Sequence, residues 1–258
     1  MLLALDCGNT HITFGCMQND AAKKVFRIPT DRRETDYGYA AKIRDVLSLG
    51  GIDPDGLSDA VISCVVPPIT ETLSRAVALL TGREPLVVGA GVKTGLHIRI
   101  NDPGTVASDL VSAAVAAKET YPLPAIVVDM GTATTLTVVD ADGKYIGGAI
   151  LPGAGISLQA LSEETARLPL IEIRPTKTVI APTTTESMKS GILYGAAGSI
   201  DGLIDRMNAE LGATATVVAT GGLAPLICPY CTHPITVDEQ LVLRGLSLIW
   251  RRNRAANP

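Results

Sequence analysis

The sequence predicts an α/β chain made of two similar halves, and three observations carry that expectation. An apolar run ending in Asp-x-Gly occurs twice, the copies stand about half of the 258 residues apart, and strand-like and helix-like runs alternate throughout. The first copy is Leu2-Leu3-Ala4-Leu5 followed by Asp6-Cys7-Gly8-Asn9-Thr10. The second is Ala125-Ile126-Val127-Val128 followed by Asp129-Met130-Gly131-Thr132-Ala133-Thr134-Thr135.

Taken in order, short apolar runs predict strands at Leu2–Leu5, Ile12–Phe14, Ala60–Val66, Pro85–Val88, Ala125–Val128, Leu136–Val139, Ile146–Ile150 and Ala215–Ala219. Helical spacing predicts helices near Asp36–Leu47, Thr70–Leu80, Val106–Lys118, Ser157–Arg167, Ser187–Leu211 and Glu239–Trp250. Asp140-Ala141-Asp142-Gly143 reads as a hairpin turn. Asp102-Pro103 reads as a helix start, a capping side chain followed by proline, with Val106, Leu110, Ala114 and Ala117 as the apolar face and Asp109 off it. Each half then opens with strand, loop and return strand, as ribonuclease-H-like halves do. The expected halves are residues 1–115 and 116–258, with the boundary between about Asp102 and Tyr121.

Composition narrows the function. Hydrophobic residues at 47% and charged residues at 19% describe an ordered globular chain. A net charge of −4, with one Trp, two Phe and six Tyr, gives neither a basic surface nor stacking platforms, so no nucleic-acid partner is expected. No apolar stretch has transmembrane length, the start has no basic segment before its apolar run, and five scattered cysteines fit reduced thiols. A cytoplasmic protein without a membrane partner is expected.

The doubled motif carries the chemistry. Glycine lets the backbone approach a ligand, small hydroxyl residues donate to phosphate oxygens, and a carboxylate beside the turn can hold a metal ion or its waters. One Asp-x-Gly is more often only a turn; two, with nearby hydroxyls, suggest loops gripping a nucleoside triphosphate from both sides. Cys228-Pro229-Tyr230-Cys231 with His233 resembles a glutaredoxin site or half a zinc site, but its late position and Pro234 favour a surface loop or adventitious metal binding.

Longer stretches resemble one family. Asp6 through Thr10, Ser63-Cys64-Val65-Val66-Pro67, Gly91-Val92-Lys93-Thr94-Gly95-Leu96, Asp129 through Thr135, Gly147-Gly148-Ala149-Ile150-Leu151-Pro152-Gly153 and Thr220-Gly221-Gly222-Leu223 together resemble type III pantothenate kinases, of the acetate and sugar kinase, Hsp70 and actin superfamily. The resemblance implies two ribonuclease-H-like halves with the nucleotide cleft between them. It implies that Asp6, Cys7, Gly8, Asn9, Thr10, His11, Ile12 and Thr13 bind ATP phosphates, with Asp6 near magnesium, directly or through water. Thr132 adds a phosphate contact, Gly221 and Gly222 lie on the adenosine side, and Asp129 ligates potassium or ammonium. Asp109 matches the general base, and Ala107, Ser108, Asp109, Leu110 and Thr184 match the pantothenate site. A homodimer is implied, with Gly147 to Ile156 and the following helix as a candidate contact surface.

The acceptor segment departs from the family pattern of Tyr, Asn-Pro and Gly-Ala-Asp-Arg. The corresponding residues are Ile100, Asp102-Pro103 and Ala107-Ser108-Asp109-Leu110. Leucine cannot pair with a carboxylate. Three readings stay open: a pantothenate kinase with acceptor contacts from elsewhere, such as Lys93 or Arg99; a kinase for another small hydroxyl compound; and a nucleotide-binding regulatory paralog.

Overall fold

Strand alternation sets the first sheet. The computed structural model describes residues 1–254. In β1 (Leu2–Cys7), Leu3, Leu5 and Cys7 enter one apolar core while Asp6 points to the opposite face. β1 pairs antiparallel with β2 (His11–Gln18), which pairs antiparallel with β3 (Ala21–Pro29). After α1 (Asp36–Leu49), β4 (Asp59–Cys64) runs parallel beside β1. α2 (Pro67–Thr81) then leads to β5 (Leu86–Val87), parallel to β4, for a sheet order β3-β2-β1-β4-β5.

The helices are stopped and started by local chemistry. Thr35 Oγ1 accepts the Gly38 N–H at 3.0 Å and caps α1, whose Tyr39, Ile43 and Leu47, four residues apart, are fully buried. α2 opens on Pro67 and ends at Gly82, which is left-handed at φ +67. β3 escapes a reading by apolar runs because Lys23, Lys24 and Arg27 leave it polar, as suits an exposed edge.

The second sheet repeats the first. Its core strands are β7 (Ala125–Met130), β8 (Ala133–Val139) and β9 (Lys144–Pro152), an antiparallel meander with β6 (His97–Ile98) parallel at its edge. The Asp140–Gly143 hairpin turn forms as expected, Gly143 N–H donating to Asp140 O at 2.9 Å. α3 (Ser108–Thr120) comes between β6 and β7 in the chain, and α4 (Ala154–Glu163) and α5 (Thr184–Leu211) follow β9. β10 (Thr216–Thr220) runs parallel beside β7, then come α6 (Ala224–Ile227) and β11 (Thr236–Val237), giving β11-β10-β7-β8-β9-β6. Both sheets therefore share one order of five strands: meander, parallel neighbour, parallel edge.

Two compact units result: Met1–Leu96, Asn101–Glu119 and the segment from Gln240 form one, and His97–Ile100 with Thr120–Glu239 form the other. The expected halves differ from these units at the last helix, α7 (Leu241–Arg254), which lies on β1 to β4 of the first sheet. Gln240 fixes its start by accepting the Ala22 N–H at 2.8 Å and donating to Ala22 O at 3.1 Å. Two helix expectations are corrected. Asp102 caps only a short 3-10 turn, Pro103–Thr105, and α3 starts at Ser108. Its buried residues run unbroken from Val111 to Ala117 rather than along one stripe, and α7 comes so close at one point that a Cβ on Gly245 would fall 1.8 Å from Ser112 O. α4 ends at Glu163, short of Arg167.

Candidate active site

The first turn is built by β1 and β2. Asp6 pairs in register with Thr13 on β2 and Ser63 on β4. The turn closes with Gly8 N–H donating to His11 O at 3.0 Å, and Asn9, Thr10 and His11 are exposed. A strap from the end of β3 holds it: Thr30 Oγ1 donates to Gly8 O at 2.8 Å and Thr30 N–H to Thr10 O at 3.0 Å. Arg32 Nη2 reaches Asn9 Oδ1 at 3.5 Å and brings a cation to the turn. Cys7 and Ile12 are fully buried in the core, so only their backbones are available to a ligand.

A polar line leads from this turn to α3. Ser63, fully buried, shares a hydrogen bond of 2.9 Å with Ser108 Oγ, and Ser108 opens α3 immediately before Asp109. Asp109 Oδ1 accepts the Leu110 N–H at 2.7 Å. Burial lifts its carboxyl above the usual carboxylate range, and the backbone hydrogen bonds only partly offset this. Asp6, Ser63, Ser108 and Asp109 thus belong to one unit, a neighbourhood that strand register and one hydrogen bond create.

The second turn has the same strand frame and a different lining. Asp129 pairs with Thr135 on β8 and Thr220 on β10. Gly131 N–H donates to Ala133 O at 3.0 Å, and Thr132 is exposed at the tip. A Cβ on Gly153 would lie 2.3 Å from Thr132 O, so glycine there seats the start of α4 against the turn. Gly221, at φ +91, is pressed on Asp129: a Cβ would lie 2.5 Å from Oδ1. Gly222 is exposed, and Leu223 N–H donates to Met130 O at 3.2 Å. The buried Thr135 hydroxyl has no hydrogen-bond partner among the described residues.

The remaining expected residues are more scattered. Thr184 is exposed as the first residue of α5, while Thr183 does the capping, accepting Glu186 N–H at 3.3 Å. Ala107 and Leu110 are half-buried beside Asp109; Ile100 belongs to the other unit, where a Cβ on Gly147 would meet it at 3.9 Å. Lys93 and Arg99 are exposed and anchored only through backbone, Lys93 to Asn253 and Arg99 to Tyr145. Sequence reasoning overlooked Thr30 and Arg32, which lie in a polar loop, and gave Ser63 no role. Among the described residues no group of three or more His, Cys, Asp or Glu could hold a metal ion.

Three comparisons bear on this geometry. Residues 2–206 match the family model for type III pantothenate kinase. A protein named type III pantothenate kinase from Moorella thermoacetica is 42% identical over 253 residues, covering 98% of this chain and 100% of its own length. Among solved structures, a Baf-family transcriptional activator from Campylobacter jejuni superposes with a TM-score of 0.64 at 18% identity, covering 98% of this chain and 99% of that one. Component A of (R)-2-hydroxyglutaryl-CoA dehydratase from Acidaminococcus fermentans gives 0.57 at 16% identity, with 99% of each chain covered. At those identities the two structures share the fold alone.

Proposed function

This chain belongs to the type III pantothenate kinase family, and from that membership we propose how its residues divide the work. The reaction moves the γ-phosphoryl of ATP to the primary hydroxyl of pantothenate, the step that opens coenzyme A synthesis. One observation carries the assignment of the turns. Neither Gly8 nor Gly131 adopts a left-handed φ, and a Cβ would meet nothing closer than 3.4 Å at Gly8 or 3.6 Å at Gly131. The fold tolerates a side chain at both positions, so the reason for glycine lies outside the fold. A phosphate lying against the backbone N–H groups supplies that reason.

The residues then take these roles. Asp6 through Thr13, Thr132 and the Gly221-Gly222 pair contact the nucleotide, with the Asn9, Thr10 and Thr13 side chains and the Arg32 guanidinium as polar groups. Asp109 accepts the proton of the pantothenate hydroxyl as the oxygen attacks phosphorus. Burial helps this by making its carboxylate more basic than an exposed one. Leu110 and Ala107 give the acceptor an apolar wall, and Thr184 a hydroxyl.

A divalent cation belongs to the kinase reaction, and Asp6, with no metal cage around it, fits magnesium held by one carboxylate and substrate phosphates. Asp129, the spare Thr135 hydroxyl and nearby backbone form an oxygen donor set that suits potassium or ammonium. These ions supply charge neutralisation for the phosphates. A second copy of the chain fits the exposed apolar residues of β9 and α4, Ile150 at 76% and Ile156 at 44% exposure. No helix among the described residues is long and apolar enough to cross a membrane.

The test is ADP and phosphopantothenate formation from ATP and pantothenate, in potassium and in sodium. Turnover in potassium with little in sodium is expected, and Asp129→Asn should flatten that difference. ATP binding without phosphorylation of pantothenate, but with turnover of another small alcohol, would reject the acceptor.

A further inference from the structure

Cys7 and Cys64 lie opposite each other in the parallel register of β1 and β4, at the last residue of each strand. Register partners on neighbouring strands put their side chains on the same face. Both face the core beneath α1 and α2, and Cys7 Sγ lies 4.0 Å from Gly8 O. Cys7 is fully buried, whereas Cys64 is half-buried at the strand end, with Sγ 3.5 Å from Val66 O. Neighbouring strands stand ~4.8 Å apart, inside the Cα separation of roughly 4.4–6.8 Å that a disulfide spans. The residue after Cys7 is Gly8, whose carbonyl and N–H build the first turn.

We propose that Cys7 and Cys64 are a modification site: a small-molecule disulfide oxidises them to a cross-strand disulfide that disables the first turn. The Cys64 thiolate attacks one sulfur of the reagent, forming a mixed disulfide and releasing one thiol. Cys7 attacks the Cys64 sulfur and its proton passes to the departing sulfur, forming the Cys7–Cys64 bond and releasing the second thiol. Two protein thiols are oxidised and one reagent disulfide is reduced to two thiols. Closing the bond draws the two Cβ atoms to ~3.8 Å, nearer than strand spacing holds them. The end of β1 shifts, and with it Gly8. A displacement on the order of 1 Å at a reacting centre costs about a hundredfold in rate. This loss of activity rests on the assignment of the first turn to ATP; formation of the bond does not.

The other cysteines give an internal contrast. Burial pushes Cys228 up to about 11 and Cys231 up to about 12; Cys7 is pushed up as well, and Cys64, beside Cys7, is the thiol shifted down, while Cys16, buried in β2, has no partner cysteine opposite it.

The experiment exposes the reduced protein to oxidised glutathione and maps peptides without reduction. Turnover and the ATP-dependent rise in melting temperature are followed before and after. The expected result is a Cys7–Cys64 linked peptide, a loss of about a hundredfold in turnover, and recovery with dithiothreitol. Cys64→Ser should turn over normally when reduced and keep its activity in oxidant. A glutathionylated Cys64 that never links to Cys7, or linkage of Cys228 to Cys231 alone, overturns the site. Linked protein with unchanged ATP binding and turnover overturns its effect. If the reduced protein itself neither binds ATP nor turns over, the kinase assignment fails, while the peptide map still decides the thiol pair.

Discussion

The turn after β1 and the turn after β7 start from the same frame and end as different sites. Each follows a six-residue strand whose fifth residue is aspartate, and each aspartate pairs with a threonine on the return strand. On the parallel neighbour the partners differ: Ser63 opposite Asp6, Thr220 opposite Asp129. The first turn is one residue longer, is strapped by Thr30 and leads through Ser63 to Ser108, next to Asp109 on α3. The second is wedged by Gly153 and Gly221 and carries a spare hydroxyl at Thr135. Duplication of a frame thus does not duplicate its surroundings: what the later helices and loops press against each turn makes the two linings differ.

The largest expected effect tests the proposed role of Asp109, which only the first turn has beside it. Asp109→Asn should lower turnover by about a hundredfold or more with ATP binding nearly unchanged. Turnover of the native protein should rise with pH as Asp109 ionises, with an apparent pKa above the usual 3.8. The stability linkage runs the other way. Because the folded pKa is raised, the protonated group's stabilising contribution is full below 3.8 and is lost as pH rises through the folded value. Asp109→Asn should therefore raise the melting temperature more near neutral pH than in acid. Full turnover in the variant would remove Asp109 from the mechanism.

Next comes the wedge that only the second turn has. Gly221→Ala forces a left-handed backbone and a clash with Asp129, and should destabilise the fold by about 1–3 kcal/mol. Gly8→Ala and Gly131→Ala should leave the melting temperature nearly unchanged, because each Cβ has room, yet weaken ATP about tenfold, ~1.4 kcal/mol. Thermal unfolding with and without ATP measures both effects; a fall in stability without loss of ATP affinity in Gly8→Ala would reduce the first turn to a structural feature.

The smallest effect concerns the acceptor wall. Leu110→Arg should lower the KM for pantothenate by about tenfold, the lower end of what a hydrogen bond to a charged group contributes. Ile100→Tyr, the other departure from the family pattern, should add to it. An unchanged KM in the double variant would show that this chain binds its acceptor by apolar contact here.

Local sequence was enough for the strands that end in Asp6 and Asp129, the Asp140–Gly143 hairpin, the alternation of strands and helices and the family. Apolar runs, turn residues and motif spacing are all short-range signals. It missed β3, whose lysines and arginine hide an edge strand, and started α3 at Asp102-Pro103, which open a separate turn. Tertiary structure alone joined Ser63 to Ser108, brought Thr30 back to Gly8, set Cys7 beside Cys64 and returned α7 to the first sheet. Those contacts link residues from 22 to 231 positions apart. Register and helix packing create them, and neither is written in any single stretch of chain.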